Sequence, residues 1–246
     1  MKLSDFKVLT FDCYGTLIDW ESGIFNALAP LAAKAGHGKT RDQVLENYAQ
    51  HEASQEEETP DMLYPQILAN VYKRLAAEWG VPVTAAEANV FGASVPDWPE
   101  FADSVEALTY LKQHYRLVIL SNVDRLSFRA SNQRLQVTFD AIYPAQDIGS
   151  YKPSLNNFEY MLQHLQSDFG LGAKEVLHTA QSLFHDHAPA NSMGLASAWI
   201  DRRHATEGWG ATMPPPGTPR YDFRFESMIA MAEAHRAEWA ATATPA

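Results

Sequence analysis

The stretch Phe6–Thr16 reads FKVLTFDCYGT. Its apolar half, Phe6–Phe11, is short and rich in β-formers, and it ends abruptly at Asp12, with Gly15 and Thr16 close behind. This is the pattern of a buried strand running into a tight loop. Similar short apolar runs recur at Leu117–Leu120, Ala141–Tyr143, Val176–His178 and Ala196–Ile200. Helical patterns separate them, at about 102–114, 124–134, 154–166 and 186–193. Short apolar strands that alternate with helices predict a parallel sheet covered on both faces.

The gap between the first and second runs is too long for a single crossover. It carries helical patterns of its own, at about 22–35, 40–54, 62–79 and 84–94, and Pro96 and Pro99 around Trp98 mark the return to the core. The expected fold is therefore α/β, a doubly wound, Rossmann-like parallel sheet with an inserted helical cap domain. Residues 1–19 and 99–246 form the core in this reading, and residues 20–98 the cap. The acidic run HEASQEEETPD, His51–Asp61, reads as a solvated helix end and loop. Residues 204–220, rich in Gly and Pro, read as an irregular loop, 224–240 as a final amphipathic helix, and 241–246 as a frayed tail.

The 246 residues suffice for such a core with a smaller insertion, and the 46% hydrophobic and 20% charged composition is that of a folded protein. The net charge of −11 gives no electrostatic reason to bind nucleic acid or an anionic membrane, so any anion site must be built locally. Cys13 is the single cysteine, which rules out an intrachain disulfide and fits a reducing cytoplasm. No signal-peptide pattern and no membrane-length apolar run is seen, and a cytoplasmic location is expected.

Doubly wound sheets bind ligands beyond the carboxyl ends of their strands. Polar residues follow four predicted strands there: Asp12, Ser121-Asn122, Lys152 and Asp186. A carboxylate at Asp12 can attack an electrophilic carbon or phosphorus and form an ester. Ser121 and Asn122 can donate to a substrate anion, Lys152 can neutralise both nucleophile and anion, and Asp186 can orient Lys152 or accept a proton from water. Each also has a plainer reading, as a helix cap, a turn residue or a surface lysine. Their occurrence together, in order and each after a strand, favours chemistry. His178, His185 and His187 read as structural or cleft-lining residues rather than a zinc site, with His185 a candidate auxiliary base. Cys13 reads as buried packing. Trp20, Tyr48, Tyr64, Tyr72 and Trp98 are core aromatics or pocket walls, Trp20 being the strongest pocket candidate.

The run Phe11-Asp-Cys-Tyr-Gly-Thr-Leu17, then Ser121-Asn122, Tyr151-Lys-Pro153, and Asp186 with Gly194 and Trp199-Ile-Asp-Arg202, resembles the haloacid dehalogenase superfamily, in particular the type II L-2-haloacid dehalogenases. The resemblance covers nearly the whole chain. It implies a catalytic set of Asp12, Lys152 and Asp186. It also implies a substrate site formed by Tyr14, Thr16, Trp20, Ser121, Asn122, Gln181 and Phe158. Phosphatases of the superfamily carry an acid two residues after the nucleophile, where this chain has Tyr14, and a metal-binding carboxylate where it has Gln181-Ser182. A halide needs no proton to leave, so the implied activity is metal-independent, cofactor-free hydrolysis of a small anionic 2-haloacid. A Mg²⁺-dependent phosphatase and a non-catalytic binding protein are the alternatives, and a homodimer through the cap helices is compatible with the family. The chain departs from the type II pattern at Phe158 (a tyrosine there), at Gln181, Ser182 and Leu183 (Ser-Ser-Asn there), and at Asn47, the nearest counterpart of the halide-binding cap arginine.

Overall fold

The computed structural model describes residues 1–36 and 38–243. Six parallel strands form one sheet: β1 (Val8–Phe11), β2 (Arg116–Ser121), β3 (Ala141–Pro144), β4 (Val176–Ala180), β5 (Ala196–Ile200) and β6 (Phe223–Phe225). Their spatial order is β3-β2-β1-β4-β5-β6. The order reverses between β1 and β4, so the crevice at their carboxyl ends opens beside β1. Val8, Leu9, Thr10 and Phe11 are all buried, as a central strand covered on both faces requires. Register carries the rest: Phe11 lies level with Ile119 of β2 and Thr179 of β4, so Asp12 and Ser121 emerge at the same end of the sheet.

Among the described residues five α-helices separate β1 from β2, four of them in the insertion: α1 (Trp20–Ala35), α2 (Arg41–Glu58), α3 (Tyr64–Glu78) and α4 (Ala85–Gly92). Their starts are written locally. Asp19 accepts from the Ser22 amide at the head of α1, and Thr40–Gln43 and Thr84–Glu87 form capping boxes on α2 and α4. The core helices follow: α5 (Ser104–Leu111), α6 (Arg125–Leu135), α7 (Ala145–Ile148), α8 (Leu155–Phe169), α9 (Ala188–Ser192) and α10 (Met228–Ala243). The fold is a doubly wound α/β core with an inserted helical cap. Among the described residues no helix is long and apolar enough to cross a membrane.

Four local expectations need correction. Phe223–Phe225 is an edge strand paired with β5, not the start of the last helix; three residues carry no readable period. The helix expected over 186–193 begins as a single π-type turn, Leu183–His187, that runs into α9. Residues 241–243 of the expected tail continue α10, and 244–246 lie outside the described residues. The fourth correction concerns α2, which runs to Glu58 and buries Glu52, Gln55 and Glu56 where a solvated end was expected.

Candidate active site

Asp12 is the first residue beyond β1. Its amide donates to the Thr179 carbonyl of β4 at 3.1 Å, which continues the sheet pattern one step further. The chain then turns tightly, with the amides of Leu17 and Ile18 both on the Cys13 carbonyl. Gly15 sits in the turn at φ +94°, and a Cβ there would lie 2.9 Å from the Trp20 indole nitrogen, so both backbone and space require glycine. The turn brings the Thr16 hydroxyl back to donate to Asp12 Oδ2 at 2.7 Å, and the same hydroxyl accepts from the Gln181 amide at 2.9 Å.

Lys152 arrives from the loop after β3 and is 1% exposed. Its Nζ donates to Asp12 Oδ1 at 2.9 Å, Asp186 Oδ1 at 2.7 Å and the Leu120 carbonyl at 3.0 Å. All three ammonium protons are thereby used. Burial disfavours this charge, but the two carboxylates outweigh it and push the lysine up to about 12. Asp186 is fully buried. Burial would raise its pKa, yet Lys152 and His178 hold it well below the usual carboxylate range. His178 Nε2 lies 2.9 Å from Asp186 Oδ1, and its Nδ1 lies 2.9 Å from the Thr10 hydroxyl. For Asp12, burial is the stronger influence and raises the carboxyl despite Lys152. The second oxygen of Asp186 is buried with no hydrogen-bond partner among the described residues.

A cavity of about 30 Å³, room for ordered water, lies against Asp12, Lys152 and Asp186. Tyr14 and Trp20 wall it, with Asn122, Ser182 and His185 on the core side and Tyr64 on the cap side. Two acids that sequence reading assigned to solvent complete it, Glu52 and Glu56. Glu52 Oε1 accepts from the hydroxyls of Tyr48 at 2.5 Å and Tyr64 at 2.6 Å. The signal for these residues was present: 45, 48, 49, 52, 55 and 56 form one helical stripe, hidden because half its members are polar. A groove of about 800 Å³ opens outside the cavity and shares Glu56, Lys152 and His185 with it.

The other expected substrate contacts are distributed differently. Phe158 does not reach the cavity; it is fully buried and packs edge-on against His178 at 5.2 Å, so its place in the substrate site is corrected. Thr16 and Gln181 are corrected likewise. Thr16 is fully buried and bonded to Asp12, and Gln181 faces a separate surface pocket beside Trp199. Asn122 is a clamp: its Oδ1 accepts from the Lys152 amide at 2.7 Å and its Nδ2 donates to the Lys152 carbonyl at 3.0 Å. Ser121 is 1% exposed, with a hydroxyl that has no partner among the described residues, and it does not line the cavity. The Tyr14 hydroxyl pairs with Ser131 at 2.8 Å, its ring edge-on to Trp98. Burial lowers His185 to about 4, so its ring is neutral at pH 7. Cys13 is buried.

The site also allows a test of the fit of Mg²⁺. Both core carboxylates already share one ammonium, and Ser182 stands where a third acid would be needed. No group of three His, Cys, Asp or Glu able to hold a metal occurs among the described residues. The donor set does not fit the ion.

A carboxylate–lysine–carboxylate cluster at the strand ends of a 3-2-1-4-5-6 sheet, under a helical insertion, defines a capped α/β hydrolase. The model of the haloacid dehalogenase-like hydrolases matches residues 6–179, and the chain belongs to that family. Among solved structures, a defluorinating L-2-haloacid dehalogenase is similar at 20% identity and TM-score 0.76, covering 96% of this chain and 98% of that one. The L-2-haloacid dehalogenase from Xanthobacter autotrophicus is similar at 17% identity and TM-score 0.73, covering 94% and 98%. A hydrolase of the same superfamily from Bacillus subtilis, bound to magnesium, is similar at 16% identity and TM-score 0.72, covering 93% and 97%. No curated protein matches the sequence. At these identities the likeness is one of fold.

Proposed function

We propose that this hydrolase forms a covalent ester on Asp12 and cleaves the carbon–halogen bond of a small 2-haloacid. The observation that carries the reading is the pair formed by Asp12 and Lys152, with Tyr14 in place of the acid two residues on. An alkyl halide needs a held carboxylate and no core acid. Two of the structural neighbours are L-2-haloacid dehalogenases, which supports the same choice. In this mechanism Asp12 displaces halide from C2 and becomes an alkyl ester. Lys152 keeps Asp12 aimed and balances the charge of the incoming acid. Water beside the free oxygen of Asp186 then attacks the ester carbonyl, and Asp12 is regenerated. The cavity is too small for the substrate, so entry from the outer groove requires the cap to swing open and close again.

The test is halide release from 2-chloropropionate and chloroacetate without added metal, together with mass spectrometry of the quenched enzyme. Wild type is expected to release halide and carry an adduct on Asp12, and Asp12→Asn to do neither. Folded wild type that releases no halide and carries no adduct overturns the reading. Turnover of p-nitrophenyl phosphate with Mg²⁺, lost in Asp12→Asn, would put a phosphatase in its place.

A further inference from the structure

The mechanism leaves one polar wall of the cavity without a task. Glu52 and Glu56 stand one helical turn apart on α2, 4% and 6% exposed, over the same cavity as Asp12. Glu52 is committed to Tyr48 and Tyr64. Among the described residues the hydrogen-bond donor to Glu56 is the Asn122 amide, 3.4 and 3.5 Å from its two oxygens, with the Lys152 charge also acting on it, and Glu56 lines the groove outside as well. Two neighbouring carboxylates in a dry site do not both ionise. Two phenol donors favour the charged form of Glu52, so the proton stays on Glu56. Burial pushes Glu56 well above the usual carboxylate range, and Glu52 adds to this. Across the cavity, the unpartnered Asp186 oxygen points to a polar occupant between cap and core.

We propose that Glu56 is a general acid supplied by the cap, which protonates the leaving atom as Asp12 attacks. The proposal rests on the Asp12-ester reading. The acid that Tyr14 displaces from the core is thereby replaced from the opposite wall. In the first step the Asp12 oxygen–carbon bond forms, the carbon–X bond breaks, and X leaves as HX with the Glu56 proton. In the second, water adds to the Asp12 carbonyl carbon and the ester oxygen leaves as the alcohol. The proton released in regenerating the Asp12 carboxylate returns to Glu56. The sum is R–X plus water giving R–OH and HX. Such an acid serves a leaving atom that is strongly basic toward a proton, fluoride foremost. It does little for bromide or chloride, which leave unaided.

The experiment compares wild type with Glu56→Gln and Glu56→Asp, each shown to be folded by its unfolding midpoint. Single-turnover formation of the Asp12 adduct is followed by mass spectrometry with fluoroacetate and bromoacetate. Glu56→Gln is expected to slow the fluoride reaction by about 10²–10⁴-fold while changing the bromide reaction by less than about threefold. Glu56→Asp, which keeps an acid, is expected to recover part of the fluoride rate. Infrared difference spectra should show a protonated carboxylic acid at pH 7 that is missing in Glu56→Gln. Equal losses with both substrates, an adduct from bromoacetate but none from fluoroacetate in wild type, or an ionised Glu56 at pH 7 overturns the assignment and leaves the Asp12 reading standing. No adduct from either substrate in wild type overturns both.

Discussion

Lys152 is one ammonium between two carboxylates, with every proton given to a named acceptor. Replacing it by methionine keeps the length and apolar stem but strands Asp12 and Asp186 in a buried site. Lys152→Met is expected to cost about 3–5 kcal/mol of stability at pH 7, read by urea unfolding. Asp186 is depressed in the fold, so its contribution in wild type is full above 3.8, the ordinary value, and is lost as pH falls through the folded value. In the variant the two acids lose the Lys152 charge and take up protons at higher pH. Its deficit should therefore shrink between pH 7 and pH 5, and a deficit that stays constant would show that the lysine acts by packing alone. Asp12, Lys152 and Asp186 were legible as individual residues because each follows a strand with an abrupt polar change. That Asn122 holds the Lys152 backbone, and that Phe158 packs on His178, was not legible, since both depend on contacts across 30 and 20 residues of chain.

At the scale of elements, α2 is the informative case. Its buried stripe carries Val44, Leu45, Tyr48 and Ala49 and then continues as Glu52, Gln55 and Glu56. The stripe keeps its helical period while its chemistry changes, and reading by hydrophobicity alone stops at Ala49. Burial lifts Glu52 to about 7 despite the two phenols. A carboxyl raised in the fold binds its proton more tightly there than in the unfolded chain. Its contribution to stability is therefore full below 4.5, the ordinary value, and falls as pH rises toward 7. Wild type should lose stability relative to Glu52→Gln over this window, measured as the difference in urea midpoints from pH 4.5 to pH 7. No change in that difference would place Glu52 in a solvated site. In α1, a Cβ on Gly23 would meet the Trp98 ring at 2.3 Å, and Trp98 is 1% exposed. Gly23→Ala should therefore destabilise by about 1–3 kcal/mol through overpacking, although alanine is the better helix former. A neutral or stabilising effect in thermal unfolding would show that the ring has room to move.

At the scale of the molecule, a few polar contacts join cap and core around the site. Tyr151 donates to the Met62 carbonyl at 2.5 Å, Arg203 bonds Glu21 of α1 at 2.7 Å, and Asn122 approaches Glu56. Polar contacts of this kind can break and re-form as a cap parts from the core to admit substrate. Tyr151→Phe removes one closing bond, which is worth about 0.5–1.5 kcal/mol. The closed population should drop, raising KM up to about tenfold while the unfolding midpoint moves little. If the midpoint falls and KM does not change, Tyr151 supports the fold rather than closure.

Five of the six strands, the insertion after β1, and the acids and lysine at the strand ends were determined by sequence alone, because each leaves a local trace. A buried strand is a short apolar run, and a polar residue at its end breaks that run. The tertiary structure alone decided which of these residues face the same cavity, that Thr16 and Asn122 hold the reactive groups in place, and that two glutamates of α2 close the site from above. The physical reason is that burial of a charged side chain leaves no mark on its own segment. A carboxylate on a helix reads as solvent-facing until the packing of cap on core takes the water away.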